Sequence, residues 1–514
     1  MTGKPGRRSS APAAPARHPF EARLGGPPDP RLQAILKRRV ARQLDYFPDE
    51  LAVDRAHTVM LLEQGVLEPA DGAAILRELA HAESDGVGGL KLDATRASIF
   101  WHIEARLTAA LGDAVGGRLH IGRSHNDILP TMSRLAARRR LLAFMEAVLG
   151  LQDSLLVVSR NHVGSVMPGY TALQHGQPWT FGHYLSGWVF AFGRDLSRLR
   201  HAYGTTNLSP LGASALAGSS WPLDRARTAA LLGFNGPLEN SRDAGFGTKD
   251  YVAEIIGAVA IAMSNLSALC SDLYLWSSTE FGMIEIADEF SGSSSFMPQK
   301  KNAWPLDWAR GAAGNAIGSF ASALAAMKGT SSTDGALQDY PEVPLRETLE
   351  VATEFFAVND GVISTMTVHE DVMKARAVES WATASALADL LVRRGDLSYR
   401  QAHAIVGRLV RNALARGALP QDVTAADLAG AAGELKIDAP ALTDGDVRAA
   451  LDPAAFIASR VTAGSVNPSE VRRMLGSAAR QVSRDRRWVT TESARAAAAL
   501  EALQQEVEVR MRIR

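Results

Sequence analysis

Residues 253–275 place Ile255, Ile256, Val259, Met263, Leu266, Leu269 and Leu273 at helical spacing in a run that contains no proline. At about 1.5 Å per residue, such a helix is on the order of 30 Å long. Its apolar positions extend nearly all the way round, so it must be buried on several faces, in a bundle core or between subunits. The same period recurs in Ala137, Leu141, Phe144, Val148, Leu151, Leu155 and Val158, while alternating β-branched runs are scarce. An all-α fold around long core helices is therefore expected.

At 514 residues and 46% hydrophobic content, the chain can bury more than one core. Its 55 Lys and Arg residues balance 55 Asp and Glu residues. No net field draws it to nucleic acid or to an anionic membrane, and neither partner is expected. Cys270 is the only cysteine. This excludes an internal disulfide or a thiolate metal cluster, favours a reducing, cytoplasmic setting and leaves Cys270 as a small buried apolar residue. No uninterrupted apolar run approaches the ~20 residues of a membrane span. Residues 1–30 are rich in Ala, Pro, Gly and Arg, with no acidic residue before Glu21. That composition resists packing, and Pro5, Pro12 and Pro15 break the amphipathic helix that a transit peptide forms.

Gly, Pro and Ser cluster at 167–170, 207–212, 233–247, 291–298 and 329–344, marking loops between helices. One of them, Gly292-Ser293-Ser294-Ser295-Phe296-Met297-Pro298-Gln299-Lys300-Lys301-Asn302, brings small residues, hydroxyls, cations and an amide together. Such a loop suits the binding of an anion by backbone N–H groups and Lys300, and its composition equally fits a solvated linker. Two others, 121–127 and 169–178, combine hydroxyls, amides and histidines. Taken singly, Ser124-His125-Asn126-Asp127 also reads as a helix cap, and Thr171 with Gln174 as a capping box.

Taken in this order on long helices, the loops resemble those of the aspartase/fumarase superfamily and, within it, of the argininosuccinate lyase family. The family's signature G-S-S-x-M-P-x-K-x-N-P is matched by 293–303, with Ser293 at the glycine and Ala303 at the final proline. The resemblance runs from about residue 45 to about 480. It includes Leu119-His120-Ile121-Gly122-Arg123-Ser124, Ser209-Pro210-Leu211-Gly212 and Ala402-His403-Ala404-Ile405-Val406-Gly407.

The resemblance implies a three-domain, all-α lyase whose central bundle assembles into a homotetramer with shared active sites. The expected parts are a disordered extension at 1–30, an N-terminal helical domain at 31–130 and the central bundle at 131–368. A C-terminal helical domain at 369–485 and a charged tail helix at 486–514 complete the chain. The implied chemistry is β-elimination of fumarate from a succinyl adduct, without metal or organic cofactor, on a small dicarboxylate or amino-acid substrate. By resemblance, Ser294 is the base, and Lys300 and Asn302 hold the carboxylate that becomes an enediolate. Ser124, Asn126 and Thr171 hold fumarate carboxylates, with His125, Ser295 and Met297 beside the substrate. Gln338 contacts the amino-acid portion.

Departures from the family pattern concentrate where the leaving group binds. The family's T-H-L-Q reads Thr171-Ala172-Leu173-Gln174 here, which removes the histidine that assists leaving-group protonation. His175 is the expected substitute if the segment is helical, one turn on. The second arginine of G-R-S-R-N-D is His125, and a tyrosine and a substrate-binding lysine are replaced by Thr333 and Pro341. Asp54 aligns with a family serine and Phe100 with a histidine. The expectation is a fumarate-releasing lyase acting on an N-substituted aspartate or related adduct, or adding an amine to fumarate. The alternatives are an authentic argininosuccinate lyase and a catalytically silent structural or regulatory oligomer.

Overall fold

The computed structural model describes residues 28–246, 249–328 and 340–513. Most of the expected 1–30 extension, together with Thr333 and Gln338, lies outside them.

Helices α1 (Pro30–Gln43), α2 (Phe47–Glu63), α3 (Pro69–Asp85), α4 (Ile99–Leu111) and the short α5 (Asp113–Gly116) form the N-terminal unit. The central bundle consists of α6 (His125–Asn161), α7 (Phe181–Thr206), α10 (Asp250–Trp276), α11 (Trp304–Met327) and α12 (Leu345–Thr365), with short helices α8 (Arg225–Leu231) and α9 (Ser241–Phe246) at its edge. Shorter helices follow: α13 (Glu370–Glu379), α14 (Ala384–Arg394), α15 (Tyr399–Ala415), α16 (Ala425–Leu435), α17 (Asp444–Leu451) and α18 (Pro453–Ala458). The last element, α19, runs from Pro468 to Met511.

The architecture is all-α, and the strands described form only two-stranded pairs. A hairpin joins β1 (Val166–Thr171) to β2 (Gln174–Thr180). The pair β4 (Gly292–Ser293) and β5 (Lys301–Asn302) closes the Ser-rich loop, and β3 (Ile284–Glu285) pairs with β6 (Thr367–Val368).

The periodicity of α10 has the expected consequence, since Ile255, Ile256, Val259, Met263, Leu266, Leu269 and Leu273 are all buried, as is Cys270. Phe356 of α12 packs edge-on against Phe144 of α6 and Phe192 of α7, with ring centres 5.3 and 5.4 Å apart. Large apolar side chains nevertheless remain on the surface of the single chain at Ile261, Tyr274, Trp308, Ile317 and Leu324 of α10 and α11. Helices α6 and α10 are each long and apolar enough to cross a membrane by length and composition, which a search for uninterrupted runs misses. More than half of each apolar window is buried inside the protein.

Two of the expected boundaries fall inside continuous helices: 130/131 lies in α6 and 485/486 in α19. The tail is the second half of α19, folded back on the N-terminal unit. Leu503 and Val507 join the same apolar cluster as Leu51, Ile75 and Leu79, and Arg510 pairs with Glu63 of α2 at 2.8 Å.

Candidate active site

The Ser-rich loop is a short, closed projection between α10 and α11. Strands β4 and β5 bring Gly292 opposite Asn302 and Ser293 opposite Lys301. Lys300 N–H donates to Met297 C=O at 3.2 Å, closing a turn in which Pro298 occupies the position whose φ it presets. The Ser294 hydroxyl oxygen accepts N–H bonds from Phe296 at 3.2 Å and Met297 at 3.0 Å. These donors stabilise negative charge on that oxygen. Ser295, Phe296 and Met297 are exposed, Phe296 almost completely. Lys301 is ion-paired, with its ammonium 2.8 Å from Glu285 and 2.7 Å from Asp288. Lys300, Lys301 and Asn302 all line a cavity of ≈ 580 Å³ with Tyr274, Glu280 and His369.

The second loop forms the N-terminus of α6. Asp127 accepts an N–H bond from Ser124 at 2.8 Å, and Ser124 Oγ accepts one from Asn126 at 3.4 Å, so the expected cap is present. The other oxygen of Asp127 accepts from Gly212 and Ser214, each at 2.9 Å, fastening the 211–215 loop over the helix end. Burial pushes the Asp127 carboxyl up to about 6, while the N–H donors pull it back. Asn126 donates to Ala215 C=O at 3.2 Å. A helix N-terminus flanked by a hydroxyl and an amide suits a carboxylate. Sequence patterns identified Asp127 only as part of a cap; its hold on the second loop is visible only in three dimensions.

The third loop corrects an expectation. Residues 171–175 are not helical, and Thr171 and Gln174 face each other across the tip of a hairpin rather than forming a capping box. Ala172 and Leu173 both have positive φ, 51° and 57°, as a two-residue hairpin turn of matching twist requires. His175 pairs with Tyr170, so by strand alternation it lies on the opposite face from Thr171. Its ring packs edge-on against Tyr170 at 5.3 Å, and burial, then the nearby Arg376, holds its pKa below the usual histidine value. His175 therefore does not replace the missing histidine by helical spacing.

Two of the loops share one end of the bundle. Arg376, beside His175, donates to Glu280 C=O at 3.3 Å, and Glu280 lines the cavity that Lys300 faces. The α6 N-terminus lies at the other end. Helix α6 has 37 residues, which corresponds to roughly 55 Å, and its C-terminus leads into the hairpin. Helix α10 runs alongside it: Tyr251 meets Ser133 near one end at 2.9 Å, and Trp276 meets Tyr170 at the other with ring centres 6.5 Å apart. Within one chain, Ser124 and Asn126 are therefore remote from Ser294, Lys300 and Thr171. Among the described residues, no group of three or more His, Cys, Asp or Glu side chains is placed to hold a metal ion.

By comparison with known proteins, these loops and this bundle belong among lyases of the aspartase/fumarase type. The family model described as lyase matches residues 56–318, and that described as argininosuccinate lyase C-terminal matches 381–458. Argininosuccinate lyase from Methanosarcina acetivorans is 36% identical over 456 residues, 88% of this chain and 91% of that protein. The enzyme from Methanoculleus marisnigri is 37% identical over 448 residues, 87% of this chain and 89% of that one. A variant of EDDS lyase solved with bound fumarate superposes with a TM-score of 0.85 at 33% identity, covering 96% of this chain and 99% of the other. The chain belongs to the lyase family, on its argininosuccinate lyase-like branch, and is a fumarate-releasing carbon–nitrogen lyase.

Proposed function

We propose that this enzyme eliminates fumarate from an N-substituted aspartate whose amine differs from arginine, or adds such an amine to fumarate. The observation that carries the reading is Ser294 Oγ seated on two N–H donors, on the same closed loop whose Lys300 and Asn302 line a cavity. A serine so placed is stabilised as an alkoxide, able to take the proton from the carbon next to a carboxylate. Lys300 and Asn302 stabilise the resulting enediolate more strongly than the ground state, and collapse of the enediolate expels the amine. Ser124, Asn126 and Thr171 bind succinyl carboxylates, with His125, Ser295 and Met297 around them, and Gln338 faces the departing group. The long separation along α6 and the apolar surface of α10 and α11 support a homotetramer whose copies complete each other's sites. The single reduced cysteine supports a soluble, cytoplasmic enzyme.

Ala172 and Pro341 favour an amine other than arginine, because neither side chain can donate a proton or supply a cation. Names of the curated relatives favour the second reading, argininosuccinate lyase itself. A panel of amines, with arginine included, incubated with fumarate and followed by loss of its absorbance separates the two. Turnover with a non-arginine amine, reduced on the order of 10²–10⁴-fold in Ser294→Ala, is the expected result. Turnover with arginine alone establishes the second reading, and equal activity of the variant rejects Ser294 as the base.

A further inference from the structure

The loop that leads into α6 rests on side chains that the proposed chemistry does not use. Arg123 immediately precedes Ser124, and its guanidinium lies 2.6 Å from Asp54 of α2, with both side chains buried. One helical turn from Asp54, Glu50 is also fully buried, and Glu104 of α4 is 3% exposed. Neither oxygen of Glu104 meets a hydrogen-bond donor. Three carboxyl groups thus share one guanidinium in an interior site, and full ionisation would bury two uncompensated negative charges. Such a state is strongly disfavoured, so protons must take the place of the missing cations.

The other ionisable groups around the loop do not supply that charge. His57 of α2 is bound to Ile121 C=O at 2.9 Å, and burial, then Arg123, keeps it neutral. His120 stacks on Phe100 of α4 and is lowered to about 4 by the same causes. The Phe100 ring also meets His125, at 5.7 Å. Arg55 turns outward to Glu83 at 2.6 Å, and Asp127 is engaged by its N–H donors.

We propose that Glu104 is a positioning residue for the succinyl-carboxylate site: protonated, it leaves the buried Arg123–Asp54 pair neutral overall beneath Ser124 and Asn126, and ionised, it adds a net negative charge there that repels a bound carboxylate. This rests on the reading of the α6 N-terminus as a carboxylate site. Burial holds the Glu104 carboxyl up to about 7, with Arg123 pulling it down and Asp54 pushing it up. Burial, reinforced by Asp54, raises Glu50 well above the usual carboxylate range. Glu104, without a hydrogen-bond donor on either oxygen, is the member of the cluster placed to change charge near neutral pH.

The test is fumarate affinity of the full-length protein between pH 5.5 and 8.5, measured by calorimetry for wild type, Glu104→Gln, Glu104→Asp and Asn126→Ala. Wild type is expected to lose roughly tenfold in affinity through a midpoint near 7, as one buried charge appears near the site. Glu104→Gln should bind tightly at every pH, and Glu104→Asp should restore a pH dependence with a displaced midpoint. Infrared difference spectra should show a protonated carboxyl titrating in wild type and absent from Glu104→Gln. An unchanged midpoint in Glu104→Gln, or no such band in wild type, overturns the proposal while Asn126→Ala still weakens binding. Fumarate binding unaffected by Asn126→Ala overturns the carboxylate-site reading, and the proposal with it.

Discussion

Lys300 and Lys301 are adjacent and chemically identical, yet the structure gives them different work. Both line the same cavity, but Lys301 is tied down by Glu285 and Asp288, whereas Lys300 has no ion pair among the described residues. Lys300→Met should lower kcat/KM by about 10²-fold or more, because the charge proposed to meet the enediolate is gone. Lys301→Met should leave substrate turnover within a few-fold and act on thermal stability instead, and steady-state kinetics on both variants separates the two. Composition cannot make this distinction, since it depends on acids sixteen and thirteen residues away in sequence; only the family pattern singled out Lys300. Glu104 carries a second consequence at this scale. Its carboxyl is raised from 4.5 to about 7 on folding, so the native state binds the extra proton between those values. The stability it contributes is fully present below the unfolded pKa and is lost as pH rises to the folded one, about 3 kcal/mol in all. Glu104→Gln should therefore flatten the wild-type stability profile between pH 4.5 and 7 in urea unfolding.

Helices were legible because burial on a bundle imposes a 3.6-residue period that substitutions on the surface do not erase. The length of α10 and its buried face follow directly from the spacing of Ile255, Val259 and Met263. The hairpin at 166–180 was not legible. Its two-residue turn is Ala172-Leu173, where positive φ is ordinarily signalled by Asn or Gly, and its strands contain Pro168 and Gly169, which read as loop. The pairing of β1 with β2 frames that exposed tip, and Thr171 is displayed beside it. Gly292 shows the reverse case, in which the sequence signal was present and its reason was hidden. A Cβ at Gly292 would lie 2.3 Å from the Trp304 ring, which itself stacks on Trp308 at 5.2 Å. Gly292→Ala must push that ring aside and shift β4, on which Ser293 and Ser294 follow. A stability loss of about 1–3 kcal/mol is expected. Turnover should fall by roughly tenfold or more, as the base leaves its alignment. Tryptophan fluorescence will report the displaced ring, and kinetics the misplaced serine.

The candidate residues were legible one by one, but their distribution over the molecule was not, because sequence order does not say which ends of two long helices lie together. Ser124 and Asn126 begin α6, whereas Thr171 lies beyond its C-terminus and Ser294 beyond the C-terminus of α10, which runs alongside α6. One chain therefore carries the proposed base at one end of its bundle and the proposed carboxylate site at the other. Antiparallel packing of two copies through α10 and α11 would bring one chain's serine to another's asparagine, and it would cover Ile261, Trp308, Ile317 and Leu324. If that is the arrangement, Ser294→Ala and Asn126→Ala damage different contributors to the same site. Each variant alone lacks an intact site. Unfolded together in equal amounts and refolded, they should form mixed assemblies in which both contributors are wild type at about one site in four, by random assortment. Recovery of roughly a quarter of wild-type activity, absent when the two proteins are merely mixed after folding, is the expected outcome. No recovery, with mixed assemblies verified by mass spectrometry, would show that Ser294 and Asn126 act from the same chain and that the separation along α6 is bridged in another way.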